Sequence, residues 1–361
     1  MTKTVRVRSA AVALGAAALA VMVSRGPVVA QDAAAQPAGK TNGKTDAKTN
    51  AKTDAATLLP KGIVPTVPDP GYTVPKTAWG HPDLQGIWEN SEEIGIPIEK
   101  PRREVRMLAT QEEAFDEADK RGGPTGAGPG WWYETKPFNG RTYQLIDPSD
   151  GALPPMTPWA QALRAERRKN RGGEYDSYLN IGLGTRCVTR GVPGSMVPGY
   201  FMYNAGYRVI QRPGAVMIQY EMIHDVRIIP IDDTRPRLSP KIRLWFGDAR
   251  GHWEGDTLVV ETTNLNDTTP LLGAGDLQGH GVNEQTRVVE RFTRINQTLV
   301  RYEATIENPK VFTKKWTIAI PLKHAENYQI FEYACHEGNK GVANILKGAR
   351  EEEAQARRGT R

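Results

Sequence analysis

Two cysteines in 361 residues, no second long apolar run after the first thirty positions and no histidine pair at ligand spacing are the chain's clearest absences. A transmembrane helix needs about 20 consecutive apolar residues, so none is expected beyond the start. The histidines at 81, 224, 252, 280, 324 and 336 form neither His-x-His nor His-x-x-x-His. A zinc-type centre would have to gather its ligands from separate strands; no metal site is assigned, although a divalent ion stays compatible with the sequence. No Gly-rich strand-to-helix turn of the dinucleotide or P-loop kind occurs, and Ser195 lacks the strand-nucleophile-helix setting of a nucleophile elbow. Hence neither an organic cofactor nor a serine nucleophile is expected. Asp248, Asp256 and Asp267 stand beside Gly or Asn and read as turn formers. The net charge of +6 is not a basic face either: Lys3, Arg6, Arg8 and Arg25 supply four of the charges. The Lys-rich segment up to residue 70 adds one more, which leaves the rest of the chain at +1. A nearly neutral domain without a basic stripe argues against nucleic acid as a partner.

What is present begins with an address. Lys3, Arg6 and Arg8 precede a small apolar run over 10–23, and Val28-Val29-Ala30 offers the small residues of a cleavage site, the pattern of a secretory signal over 1–30. With neither a twin arginine nor a cysteine at that site, the expected product is a soluble periplasmic or extracellular chain. Residues 31–70 are built around a degenerate repeat of Thr-Asn-Gly-Lys, Thr-Asp-Ala-Lys and Thr-Asn-Ala-Lys. Such a repeat buries too little surface to offset its chain entropy, so it reads as a disordered tether whose lysines would adhere weakly to an anionic envelope. An oxidising compartment makes Cys187 and Cys335 an expected disulfide.

The remaining 71–361 read as one mainly β domain. Residues 82–88 run from a turn into a strand ending at Trp88. Thr110 with Glu113 opens a helix that Gly122 and Gly123 end, and Thr157 with Pro158 opens another reaching toward Gly172. Between them the Gly/Pro-rich loop 122–143 carries Trp131, Trp132 and Tyr133, which would either form a lid or binding wall or simply pack the loop onto the sheet. Strands are expected over 207–212, 215–231, 251–253, 257–262, 287–293, 299–306, 315–322 and 328–335. Helices are expected over 340–347 and 349–358. Trp88, Trp245, Trp253 and Trp316 are assigned to the core. Strands in series without interposed helices make an antiparallel meander, which closes into a β-barrel or strongly curled sheet to remove its edges.

Six ordered motifs carry a resemblance: Pro-Asp-Leu-Gln-Gly-Ile-Trp at 82–88, Arg-Cys-Val-Thr-Arg-Gly-Val-Pro-Gly at 186–194, Glu-Met-Ile-His-Asp-Val-Arg at 221–227, Gly-His-Trp-Glu-Gly-Asp-Thr-Leu at 251–258, Val-Glu-Arg-Phe at 289–292 and Tyr-Ala-Cys-His-Glu-Gly-Asn at 333–339. Together they resemble a family of exported bacterial proteins over most of 79–347. That resemblance brings no assigned catalytic residues. The Gly-x-Trp of the first motif also resembles the opening strand of lipocalin-like barrels, which implies a Trp plugging one barrel end.

The sharpest chemical candidate is His224. On a continuous strand it shares the apolar face of Tyr220 and Met222, while Glu221, Asp225 and Arg227 face away. A bulge at 224–225 would switch the faces and bring His224, Asp225 and Arg227 together. His224 would then be a general acid or base, with Asp225 or Glu221 orienting it and Arg227 stabilising developing negative charge. The alternative for His224 is a hydrogen-bonded core histidine. His336 and Glu337 follow Cys335, and a disulfide would bring them near Arg186 and Arg190, which suit an anionic group; His336 would then join His224 in an acid/base set, the alternative being a polar loop fixed by the disulfide. The expectation is therefore a cofactor-independent acid/base enzyme, of lyase, isomerase or hydrolase type, acting on a small aromatic or sugar-derived compound in a barrel cavity. Two readings compete with it: a non-catalytic carrier of an apolar or aromatic ligand, and a structural protein of the envelope.

Overall fold

Strands form where β-branched and aromatic residues alternate with polar ones, because one face of each strand can then be buried. In the computed structural model the described residues are 64–94, 96–101, 141–170, 175–198, 204–269 and 284–359. The chain divides into two units, Met1–Asp54 and Ala55–Arg361, and every described residue belongs to the second. The signal segment, the tether up to residue 63, the helix expected after Thr110, and Trp131, Trp132 and Tyr133 lie outside the described residues.

Ten strands make one antiparallel sheet: β1 (Gly86–Glu89), β2 (Leu145–Asp147), β3 (Gly206–Arg212), β4 (Ala215–Tyr220), β5 (Val226–Pro230), β6 (Asp248–Glu254), β7 (Thr257–Thr263), β8 (Arg287–Arg294), β9 (Leu299–Glu307) and β10 (Trp316–His324). Their order is β5-β4-β3-β1-β10-β9-β8-β7-β6, with β2 also pairing β10. The sheet curls until its ends meet, and the expected mainly β, barrel-like architecture results. Ile231, just past β5, bridges Gly251 of β6 in parallel, and the Asp232 amide donates to the Gly251 carbonyl at 2.9 Å. A Cβ on Gly251 would stand 2.6 Å from Ile231 Cδ1 and 3.0 Å from Ile229 Cγ2, so any side chain there would have to displace these isoleucines at the seam.

Inward positions of successive strands fill the interior, among them Ile218, Tyr220, Leu258, Val260, Val300, Tyr302, Ile318 and Trp316. Each large side chain buried there stabilises the fold by roughly 1.5–3 kcal/mol. Trp88 is buried at the end where β8 turns into β9; its Nε1 donates to the Leu84 carbonyl at 2.9 Å, and the Arg294 guanidinium lies 5.4 Å over its ring. Residues 64–69 already dock on the barrel: Val64 is buried, its carbonyl accepts from Arg301 Nη1 at 2.5 Å, and Asn296 Nδ2 donates to Asp69 Oδ2 at 2.9 Å.

Four expectations need correction. The strand expected over 215–231 is a hairpin, β4 and β5, reversed by a tight turn at 221–225. Residues 328–335 form no strand; they run as an irregular strap fixed by side-chain bonds. The helix broken at Gly348 is continuous, Gly341–Gly359, and is α2. Trp245 is exposed rather than core, and Trp253 is half-buried, whereas Trp88 and Trp316 are core. The first helix, α1 (Pro158–Asn170), starts where Thr157 indicated, its Oγ1 accepting from the Ala160 amide at 3.2 Å.

Candidate functional site

The turn between β4 and β5 shapes the barrel rim opposite the Pro213-Gly214 hairpin. Residues 222–224 make a tight turn in which Ile223 (φ 66°) and His224 (φ 49°) are both left-handed. That conformation costs a non-glycine residue roughly 1–2 kcal/mol, and a β-branched residue rarely adopts it. Strain of this kind persists only where surrounding contacts impose it, and it concentrates at functional sites.

Glu221 supplies those contacts. Its carboxylate is buried and accepts from Asn204 Nδ2 at 2.7 Å, from the Tyr328 hydroxyl at 2.8 Å and from the Phe331 amide at 3.2 Å. A Cβ at Gly206 would stand 2.5 Å from Glu221 Oε2, so the strand opposite has room for the carboxylate only because it carries glycine. Glu221, expected to orient His224, instead anchors the 328–335 strap to the rim.

His224 faces solvent, which removes the core-histidine alternative, and its Nδ1 lies 2.7 Å from the Tyr333 carbonyl oxygen. A carbonyl only accepts, so the contact places the proton on Nδ1 and leaves Nε2 as the bare nitrogen of the neutral ring. Asp225, the next residue, is half-buried. Burial pushes its carboxyl up from 3.8 to about 6, outweighing the Thr189 hydroxyl and the neighbouring His224, which both lower it. Among the described residues Asp225 Oδ2 has no hydrogen-bond partner.

The sign of that shift gives a test. Because the folded carboxyl binds its proton more tightly than the unfolded one, Asp225 weakens the fold progressively as pH rises from about 4 to about 6. Asp225→Asn should therefore match the native protein in stability below pH ~4 and exceed it by an amount that grows to pH ~6 and then levels. Thermal melts across this range would show it; a stability difference independent of pH would contradict the shift.

Cys187 and Cys335 form the expected disulfide, closing a sequence separation of 148 residues. Cys335 follows Tyr333 by two positions, so the bond also fixes the carbonyl that orients His224. Arg186 precedes Cys187 and lays its guanidinium 5.3 Å over the Tyr178 ring. Arg190 Nη1 donates to Met222 Sδ at 3.2 Å, within the strained turn. His336 and Glu337 are exposed beside the disulfide. Among the described residues no three His, Cys, Asp or Glu side chains gather as a metal site.

Arg227 departs most from expectation. The turn inverts the alternation, so Val226 and Ile228 face outward and Arg227 points into the barrel. There its Nη1 stands 2.6 Å from Glu290 Oε2 as an ion contact off the hydrogen-bond direction, and its Nη2 donates to Thr262 Oγ1 at 2.5 Å. The Tyr302 hydroxyl donates to Glu290 Oε1 at 3.0 Å. Burial, aided by the Glu290 charge, raises the Tyr302 phenol well above its ordinary value, and burial pushes Tyr220 up to about 12. Phe246 stacks on Tyr220 at 5.8 Å. Glu290 is wholly enclosed, so in this conformation Arg227 meets the barrel's own carboxylate rather than a substrate.

Sequence reasoning quoted Glu290, Thr189 and Tyr333 within motifs but gave none of them a role. Glu290 had a signal: in Val288-Val289-Glu290-Arg291-Phe292 it occupies the apolar phase of a strand, which requires a buried counter-charge. Tyr333 acts through its carbonyl, which leaves no trace in residue type.

Compared with protein families, with curated proteins and with solved structures, the chain finds no match.

Proposed function

We propose that the chain is an exported acid/base enzyme, of lyase, isomerase or hydrolase type, whose chemistry takes place at the barrel rim on His224 and Asp225. The observation that carries this reading is the 2.7 Å contact of His224 Nδ1 with the Tyr333 carbonyl, which turns a bare Nε2 to solvent on a strained turn. Nε2 accepts the proton that the substrate, or a water attacking it, gives up. Asp225, protonated below about pH 6, returns a proton to the bond that re-forms or to the group that leaves. No cofactor enters this scheme. The disulfide supports an oxidising address, in keeping with the signal-like start.

A carrier would hold its ligand inside the barrel. Among the described residues, the interior void lined by Leu84, Trp88, Val216, Ile218, Phe292 and Leu322 measures about 10 Å³, near the smallest space that holds one water, and supports placing the chemistry at the rim. Untargeted mass spectrometry of a cell extract incubated with the purified mature protein separates the two readings. Consumption of a compound with appearance of a product supports the enzyme. Release of an unchanged compound on denaturing the protein, with nothing consumed, would replace it with the carrier.

A further inference from the structure

We propose that the outer face of β3, β4 and β5 docks on an anionic lipid surface, with Arg208 and Arg212 at the phosphates and Val226, Ile228 and Pro230 in the apolar layer beneath them. Such docking needs no particular chemistry at His224.

The register lays this face out in rows. Arg208, Ile210 and Arg212 point outward from β3, Met217 and Gln219 from β4, and Val226, Ile228 and Pro230 from β5. Ile210 stands opposite Met217 and Met217 opposite Ile228, so the middle row is apolar on all three strands. On one side of it Arg208, Gln219 and Val226 are in register, and on the other Arg212, Ala215 and Pro230. Neighbouring strands lie about 4.8 Å apart, so the charge on β3 gives way to apolar surface on β5 over roughly 10 Å. Elements that lie in a bilayer interface bury their apolar side about 5–10 Å deep, a comparable distance.

The apolar side of the face is uncovered and continuous. Ile228 is 62% exposed and Val226 47%. Beyond β5 the surface runs into an open groove of about 290 Å³, where Ile228 and Pro230 meet Leu238 and Leu244. Trp245, next in the chain and 39% exposed, adds an amphipathic ring of the kind that settles at headgroup level. The polar wall of the groove is satisfied internally: Asp233 pairs with Arg235 and Arg250, and Asp248 pairs with Arg250. Contiguous apolar surface rimmed by polar groups marks a contact with protein or membrane.

Charge selects the occupant. Among the described residues Arg208 and Arg212 have no hydrogen-bond or ion-pair partner. Their stems can lie along apolar surface while the guanidinium forks reach phosphate oxygens. The rows themselves carry no carboxylate; Asp225 and Asp232 bracket β5 outside them. A second copy docked about a two-fold axis would present the same rows, and so no negative charge to meet the arginines. An anionic bilayer presents phosphates above hydrocarbon and matches both halves of the face.

Co-sedimentation of the full mature chain with lipid vesicles tests this. The protein should sediment with vesicles of mixed phosphatidylglycerol and phosphatidylcholine and stay in solution with phosphatidylcholine alone. Replacing both arginines, Arg208→Gln with Arg212→Gln, should weaken binding at least about tenfold, since each cation near an anionic surface is worth a factor of about five. Ile228→Ser should weaken it about tenfold as well, through lost apolar burial. A thermal melt checks that both variants fold, which is expected because these side chains stand on the outer face. The lysines before residue 64 are present in every arm, so they cannot produce the differences. No sedimentation with the anionic vesicles, equal sedimentation with both kinds, or undiminished binding by either variant would overturn the proposal. A dimer in solution that Ile228→Ser disperses would overturn it too, by giving the face to a second copy.

Discussion

Replacing Arg227 with methionine is expected to cost about 3–5 kcal/mol of folding stability, because it strips the counter-charge from a buried carboxylate. Its partner Glu290 is fully enclosed, and without the guanidinium its charge is left uncompensated away from water. The residue also matters to closure. Between β5 and β6 the backbone makes one bridge, Ile231 to Gly251, whereas every other neighbouring pair shares a ladder. Arg227 crosses that seam from within, reaching Thr262 on β7 and Glu290 on β8. The double replacement Arg227→Met with Glu290→Leu should recover most of the loss, because two apolar side chains of similar volume need no counter-charge. Urea unfolding of the two single variants and the double variant measures this; a cost below ~1 kcal/mol for Arg227→Met would mean that water reaches the pair.

The second large effect concerns His224. Alanine is a poor probe at this position, since the residue is left-handed and its ring bonds the Tyr333 carbonyl. Asparagine tolerates that backbone, and its side-chain amide can donate to the same carbonyl, but it cannot accept a proton at neutral pH. His224→Asn is therefore expected to lower turnover by a factor of about 10²–10⁴ while moving stability by less than ~1 kcal/mol. Turnover of the compound that the native protein consumes, read beside a thermal melt, checks both halves. Near-native turnover would move the chemistry elsewhere; a large loss of stability would make the ring a structural prop.

The barrel was legible because its signal is periodic. Val216, Ile218 and Tyr220, or Val300, Tyr302, Ala304 and Ile306, announce an inward face by spacing alone. The turn at 221–225 was not legible. Met222, Ile223 and His224 include no Gly, Asn or Pro, so the alternation reads straight through them, and the fold imposes a left-handed backbone on Ile223 by anchoring Glu221. One consequence runs through the site: the inverted phase of β5 sends Arg227 inward and turns Ile228, 62% exposed, to the outside. The strap at 328–335 misled in the opposite way. Its alternating side chains suggest a strand, yet among the described residues its bonds to the rim go to Glu221, to His224 and, through Cys335, to the disulfide, and no ladder forms. The pairing of Cys187 with Cys335 followed from compartment and count, whereas the neighbours it gathers around His224 required three dimensions.

The most direct measurement is long-range proton-nitrogen NMR of the His224 ring in the mature protein as a function of pH, assigned with His224→Asn. The neutral ring should be a single tautomer with the proton on Nδ1 and Nε2 bare. A proton on Nε2, or the averaged tautomers of a freely rotating ring, would contradict an imidazole held by the Tyr333 carbonyl as a base facing solvent.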